Sequence, residues 1–312
     1  MDIDARELEA LASRLTVRFT DGEPRQTIQV DGFRPVYFSN SPAERSDNLP
    51  GGGGGASLRR QYSDPNEPYE PVLTAFFVWL KKRQPAIAMI DVGALWGHMS
   101  LVAASIFDKS DIRLFEMNPF VAKILQNNLD LNSHLNARFH VTNALVSKRD
   151  GETPVTFKHY TARYGAGEGG INLSPVKIVR ENIKSKLRKL MGRAGKGEYI
   201  TRPMKIVTLD NYCRETGFVP NLIKLDVEGS EYDILCGSER VLRQHHPLLL
   251  VELHSADSAN YVQVPNRELI QFMKSCGYRC LWGDHRHKQV SLTLLDGHAD
   301  ANVETNSLGI FF

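Results

Sequence analysis

Ile90-Asp-Val-Gly-Ala-Leu-Trp-Gly-His-Met-Ser100 is the stretch whose reading decides the fold. It closes an apolar run, Ala86-Ile-Ala-Met-Ile-Asp-Val92, that reads as a buried strand ending in Asp91. Gly93 and Gly97 then carry the chain through Ala94 into a helix read over Ser100–Phe107. Glycines at such a turn let backbone approach a ligand with no Cβ in the way. In an open α/β sheet the turn lies at the carboxyl ends of the strands, where ligands bind. The spacing is G-x-x-x-G, not G-x-G-x-x-G. A dinucleotide needs its pyrophosphate close to a helix N-terminus, so this spacing suits a phosphate-free ligand such as an aminoacyl nucleoside better.

Downstream, the pattern repeats. Arg113-Leu-Phe-Glu116 reads as a second strand, followed by a helix from Phe120 to Leu131, and Ala137-Arg-Phe-His-Val141 reads as a third strand. Glu116 ends its strand where an acid takes ribose hydroxyls as hydrogen-bond acceptor. Asn143, just past the third strand, either meets the base or is an ordinary turn residue. Leu222-Ile-Lys-Leu-Asp226 and Leu248-Leu-Leu-Val-Glu-Leu253 are later strands, with helix from Tyr232 to Arg243 between them. Upstream, Pro71 opens a helix carrying Val72, Leu73, Phe76, Phe77, Trp79 and Leu80. Apolar strands alternating with helices imply a doubly wound, mostly parallel sheet covered on both faces.

Residues 1–50 read as an N-terminal extension. It has a short helix over 5–15 and a hairpin formed by Leu15–Phe19 and Gln26–Val30 around Asp21-Gly22. Residues 51–68, opening with five consecutive glycines, read as a flexible linker. The third unit is 69–312, interrupted by an insert at about 158–205. The insert carries Gly165, Gly167, Gly169 and Gly170 and a basic amphipathic stretch over 176–191, which is either a solvated helix or a lid for an anionic acceptor.

Composition narrows the classes. The chain has 312 residues, 42% hydrophobic and 24% charged, with a formal net charge of +2. That is enough apolar material for a full core, and the charge gives no reason to expect nucleic acid. No apolar run is long enough to span a bilayer, and the acidic start Met1-Asp-Ile-Asp4 lacks signal-peptide order, so a cytoplasmic location is expected. Cys213, Cys236, Cys276 and Cys280 form no C-x-x-C pair and read as reduced, packed thiols. Oligomeric state is not legible.

Taken together, D-V-G-A-x-x-G-x-x-S at Asp91–Ser100, F-E-x-N-P at Phe115–Pro119, T-L-D at Thr208–Asp210, I-K-L-D-V-E-G-S-E at Ile223–Glu231 and P-x-L-L-V-E at Pro247–Glu252 resemble the FkbM family of methyltransferases. The resemblance implies a seven-stranded class I methyltransferase sheet, S-adenosylmethionine as cofactor, and O-methylation of a hydroxyl on a sugar or other small-molecule acceptor. It implies cofactor contacts from Glu70, Asp91, Gly93, Ala94, Gly97, Ser100, Glu116, Asn118, Asn143 and Asp226. Leu95-Trp96 departs from the family, which commonly has a small polar residue there. Asp226 closes a buried strand at the mouth of the cleft, while capping of the following helix competes for Glu228 and Glu231. Glu252 and His254 alternate along one strand and so share a side. With Asp226 they form an Asp/Glu/His cluster that serves as general base, as a divalent-cation site, or as a buried hydrogen-bond network. For proton removal the candidates are Asp226 and His254, then Glu228. Two other readings stay open: a nicotinamide-dependent oxidoreductase on a similar fold, and a non-catalytic module that retains it.

Overall fold

The computed structural model describes residues 2–40, 58–64, 66, 68–158, 199–254, 264–295, 303 and 305–312. Its centre is an eight-stranded sheet. The strands, in chain order, are β4 (Ala86–Val92), β5 (Lys109–Phe115), β6 (Ala137–Thr142), β10 (Leu222–Leu225), β11 (Leu248–Leu253), β12 (Cys280–Gly283), β13 (Thr293–Leu294) and β14 (Ser307–Phe311). Across the sheet they run β13-β12-β14-β11-β10-β4-β5-β6. β6 through β11 pair in parallel, whereas β14 runs antiparallel between β11 and β12. Seven of these are the strands expected from the resemblance, and the two-residue β13 adds an eighth at the edge.

The order reverses at β4. β5 and β6 lie on one side of it, while β10 and β11 lie on the other. That is the switch point where a cleft opens above the carboxyl ends of the strands. The central strands read almost wholly apolar because both faces are covered: Leu222 to Leu225 are all buried, Lys224 included. The helices α2 (Pro71–Lys81), α3 (His98–Ile106) and α4 (Pro119–Asp130) cover the β4–β5–β6 half. Pro71 and Pro119 stand at helix starts, where the missing N–H costs nothing. On the other half lie α5 (Leu209–Thr216), α6 (Glu231–Cys236), α7 (Glu239–His245) and α8 (Asn266–Ser275).

The single helix expected over 232–243 is two. Gly237 separates α6 from α7, and a Cβ there would come within 2.3 Å of the Ser147 carbonyl oxygen. The close packing of that turn against β7 (Leu145–Val146) breaks the helix. β7 belongs to a separate three-stranded sheet with β8 (Gly151–Lys158) and β9 (Tyr199–Val207), which the sequence pattern did not reveal. β8 and β9 pair antiparallel from Gly151 opposite Ile206 to Lys158 opposite Tyr199. Residues 199–205 of the stretch read as an insert are therefore strand. The rest of it, 159–198, with its glycines and basic face, lies outside the described residues, as does the glycine run at 51–55.

At the N-terminus, α1 (Ala5–Arg14) precedes a three-stranded antiparallel sheet of β1 (Val17–Thr20), β2 (Arg25–Val30) and β3 (Val36–Ser39). Asp4 caps α1 through the Arg6 amide at 2.9 Å. This extension shares one apolar core with the main sheet: Leu8, Ile28 and Phe38 pack in the same cluster as Phe76, Trp79 and Leu101. Residues 58–61 are helical, and Leu58 and Tyr62 are buried in that core. All four cysteines are free thiols. No described helix is long and apolar enough to cross a membrane.

Candidate active site

The turn after β4 is held by its own backbone. Gly93 and Ala94 amides both donate to the Phe115 carbonyl, at 3.0 and 3.1 Å, tying the loop to the end of β5. Gly93 has φ +80, and a Cβ on it would come within 1.9 Å of the Asp226 carbonyl oxygen. Only glycine fits there. Gly97 is also left-handed at φ +80, with Leu125 where a Cβ would go. Leu95 has φ 50, an uncommon conformation for a side chain of this kind. The Ser100 hydroxyl donates to Asp91 Oδ2 at 2.6 Å, fixing the start of α3 to the end of β4.

Glu116 braces the same loop from the neighbouring strand. It is buried, and its oxygens accept from the Leu95 amide at 3.1 Å and the Asn118 amide at 2.7 Å. Asn118 in turn caps α4, accepting from the Phe120 and Val121 amides. Asn143 donates from Nδ2 to the Glu116 and Met117 carbonyls at 2.7 and 2.9 Å. Gly93, Ala94, Gly97, Glu116, Asn118 and Asn143 therefore form one hydrogen-bonded and packed rim, with Asp91 and Ser100 beneath it.

Across β4 the chemistry changes. The register sets Asp91 opposite Lys224 on β10. The Lys224 ammonium lies 3.7 Å from Asp91 Oδ1 and 3.1 Å from Asp226 Oδ2. Burial alone would depress its pKa, but Asp226, Asp91 and Glu70 hold it above the ordinary lysine range. Burial raises the Asp91 carboxyl against the pull of Lys224. Asp226 is held below the usual carboxylate range because Lys224, Glu252 and His254 outweigh its burial. Burial and the Asp226 charge push Glu252 upward.

Glu70, Lys224, Asp226, Glu252 and His285 line a narrow cleft with room for about one water-sized group. Glu70 stands at the head of α2 with φ 47, and its side chain makes no helix-capping bond. It thus sits with Lys224 and Asp226 on this side of β4. Of the described non-glycine residues with positive φ, Glu70 lines the cleft, Leu95 lies in the glycine turn and Glu228 follows Asp226 by two residues. Strain of this kind collects at functional sites.

Asp226, Glu252 and His254 do come together: one donor atom from each lies within 4.8 Å of the others. His254 is nevertheless engaged. Its Nδ1 is 3.0 Å from Glu231 Oε1, and its Nε2 is 3.6 Å from Glu228 and 3.9 Å from Glu252. Burial opposes its charge, but the hydrogen bond and charge of Glu231 dominate and lift its pKa to about 9. His254 is thus nearly inaccessible and favours the imidazolium at neutral pH; among the expected proton acceptors, Asp226 is the one that lines the cleft. Glu231 also accepts from the Val227 and Gly229 amides, at 3.3 and 3.2 Å, so it holds the loop as well as the histidine. Glu228 is more than half exposed.

Sequence reasoning assigned no role to Lys224, His285 or Arg286. Lys224 had a signal: a cation inside the apolar strand Leu222–Leu225 must be paired. His285 and Arg286 had none. β14 pairs Leu308 with both Glu252 on β11 and Gly283 on β12. That lateral alignment brings the segment after Gly283 over the Glu252 carboxylate, with His285 Nε2 at 3.6 Å and Arg286 Nη2 at 2.9 Å.

A parallel sheet with a switch point at β4, a glycine turn tied to Glu116, and a charged cleft beside it define a doubly wound enzyme fold of the methyltransferase class. The chain belongs to the methyltransferase FkbM domain family, whose pattern it matches over residues 91–280. Among solved structures, an FkbM methyltransferase from Methylobacillus flagellatus KT aligns at 15% identity, covering 82% of this chain and 57% of that one, with a TM-score of 0.41. This chain thus spans little more than half the length of that protein. A putative caffeoyl-CoA O-methyltransferase from Staphylococcus aureus aligns at 14% identity over 82% and 90% of the two chains, TM-score 0.36. Aeropyrum pernix fibrillarin with natively bound S-adenosyl-L-methionine aligns at 10% identity over 95% and 98%, TM-score 0.35. No curated protein matches the sequence.

Proposed function

We propose that this protein transfers a methyl group from S-adenosylmethionine to a hydroxyl of a small-molecule acceptor, a sugar or another metabolite. The observation that carries this reading is the pairing of two unlike half-sites across β4: the backbone rim built on Glu116, and the charged cleft built on Lys224 and Asp226. The rim residues fit the cofactor. Gly93 keeps the loop flush against Asp226, which leaves backbone as the floor. Glu116 is a buried acid beside the glycine turn, where a carboxylate suits ribose hydroxyls. Asn143, tied through Nδ2, has its carbonyl oxygen available to a base.

When bound, S-adenosylmethionine supplies an electrophilic methyl on a positively charged sulfur. The protein's part is alignment and exclusion of water. Asp226 ends β10 beside the glycine turn and keeps its carboxylate partly exposed to the cleft. It accepts the hydrogen bond of the acceptor hydroxyl and its proton as the oxygen gains charge; such proton transfer contributes a factor of about 10²–10⁴. Lys224 keeps Asp226 ionised, and the His254–Glu231 pair fixes the loop that carries it.

Calorimetry with S-adenosylmethionine, S-adenosylhomocysteine and NAD tests the cofactor: the two adenosyl compounds bind and NAD does not. NAD binding in place of both would establish the oxidoreductase alternative, and binding of neither would favour a non-catalytic module. Incubation with trideuteromethyl-labelled cofactor and a small-molecule extract, followed by mass spectrometry, tests the acceptor. Label recovered on nitrogen or carbon instead of oxygen would overturn the hydroxyl assignment.

A further inference from the structure

We propose that Glu70, Glu252 and His285 bind a divalent cation of the Mn²⁺ or Zn²⁺ type at the floor of the cleft. The three come from distant parts of the chain, the head of α2, the end of β11 and the segment after β12, yet one donor atom from each lies within 4.8 Å of the others. His285 Nε2 and Glu252 Oε1 are 3.6 Å apart. Two ligands each at about 2.1 Å from an ion at near-tetrahedral angles stand roughly this far apart. A carboxylate rotation at Glu70 completes the set.

The second observation is independent of that convergence. Glu70 is 4% exposed and His285 2% exposed. Glu70 Oε2 nonetheless has no hydrogen-bond partner. A buried polar atom left unpaired is costly, and an ion is one of the few explanations for it. Charge points the same way. Glu70, Asp226 and Glu252 line the cleft with Asp91 beside Lys224, against the cations Lys224, Arg286 and His254. Lys224 is shared by Asp91, Asp226 and Glu70, and Arg286 serves Glu252, so a single buried cation faces three of these carboxylates. Two carboxylates with one imidazole suit a first-row divalent metal. Arg286 shares Glu252 Oε1 but is more than half exposed, so it can withdraw and leave that oxygen to the ion.

The neighbouring triad of Asp226, Glu252 and His254 is a poorer host. Its histidine is committed to Glu231 through Nδ1, and its aspartate to Lys224. The inference goes beyond the proposed methyl transfer and does not depend on it.

Manganese alone is the probe, with the full chain and no acceptor. Calorimetry should give one Mn²⁺ per chain, and pulsed electron paramagnetic resonance should show nitrogen coupling from a bound imidazole. His285→Gln should abolish that coupling, and His285→Gln and Glu70→Gln should each weaken binding by at least about tenfold. His254→Gln should leave both readouts intact. Native circular dichroism qualifies each variant, and should His285→Gln fail to fold, Glu70→Gln carries the affinity test. Saturating S-adenosylhomocysteine should leave the ion bound. The site is overturned by absence of saturable Mn²⁺ or Zn²⁺ binding up to about 1 mM, by coupling that survives His285→Gln, by loss in His254→Gln instead, or by displacement of the ion by S-adenosylhomocysteine, which would give the pocket to the cofactor's ammonium group. Binding of S-adenosylhomocysteine itself, read separately, keeps this failure distinct from failure of the methyltransferase reading.

Discussion

The two halves of the cleft satisfy their buried polar groups in opposite ways. On the β4–β5 side, acids and amides bond mostly to backbone: Glu116 to the Leu95 and Asn118 amides, Asn143 to the Glu116 and Met117 carbonyls. On the β10–β11 side, side chains bond mostly to side chains: Lys224 to Asp226, His254 to Glu231, Arg286 to Glu252. The first arrangement makes a rigid, shape-defined rim whose parts can be changed one at a time. The second makes a charge network in which each group sets the state of its neighbours. Rigid shape is what recognition of a fixed nucleoside needs, and coupled charge is what handling a proton needs.

The largest expected effect comes from breaking the network at its centre. Lys224→Met removes the cation that three carboxylates share and leaves Asp91, Asp226 and Glu70 facing one another. Deleting one partner of a buried ion pair costs about 3–5 kcal/mol. Urea unfolding of the two proteins measures it. A change below about 1 kcal/mol, the level of a surface pair, would mean that solvent already screens the cleft and that the contrast between the halves is one of shape only.

The rim should respond less and more locally. Glu116→Ala is expected to weaken S-adenosylmethionine and S-adenosylhomocysteine by about 1.5–3 kcal/mol, the loss of a charge-assisted bond, with far smaller loss of stability than Lys224→Met. Calorimetry on a folded variant reads the first, and urea unfolding the second. Unchanged affinity would reduce Glu116 to a brace for Leu95 and Asn118 and remove it from the cofactor site.

The halves also differed in how far the sequence disclosed them. The rim is written in short spacings: Asp91 to Ser100 is one strand, turn and helix start, and Glu116 to Asn143 spans one helix and one strand. Local periodicity and glycine positions are enough to read such a unit. The charged cleft draws on residues 70, 224, 252 and 285, brought together by parallel crossovers and by β14 inserting antiparallel between β11 and β12. Asp226 and Glu252 were legible because they end apolar strands. His285 depends on the alignment of Leu308 with Gly283, which no local pattern encodes. Gly237 shows the same limit: its helix break answers to Ser147, a contact between distant segments. The separate β7–β9 sheet went unread for a similar reason, since its two long strands flank 40 residues of intervening chain, 159–198.

Two buried histidines sharpen the contrast at the smallest scale. His254, among carboxylates, is lifted to about 9. His98, at the start of α3 behind the rim, is lowered to about 3, first by burial and then by the charge of Lys224. It is packed among the rings of Phe38, Tyr62 and Tyr69, with Nε2 2.8 Å from the Tyr62 hydroxyl and no carboxylate against it. A histidine whose folded pKa lies below its unfolded value of about 6.5 must stay neutral to be accommodated. Its stabilising contact is therefore complete above about pH 6.5 and is lost progressively as pH falls toward 3. At pH 5.5, one unit below the unfolded value, the loss is on the order of 1 kcal/mol. Urea unfolding at pH 7.5 and 5.5 should show the wild type losing that much more than His98→Gln between the two conditions, because the glutamine has no proton to bind. Equal losses in both proteins would show that the His98 ring reaches solvent at low pH, and that the N-terminal segment carrying Tyr62 opens there instead of sealing the rim from behind.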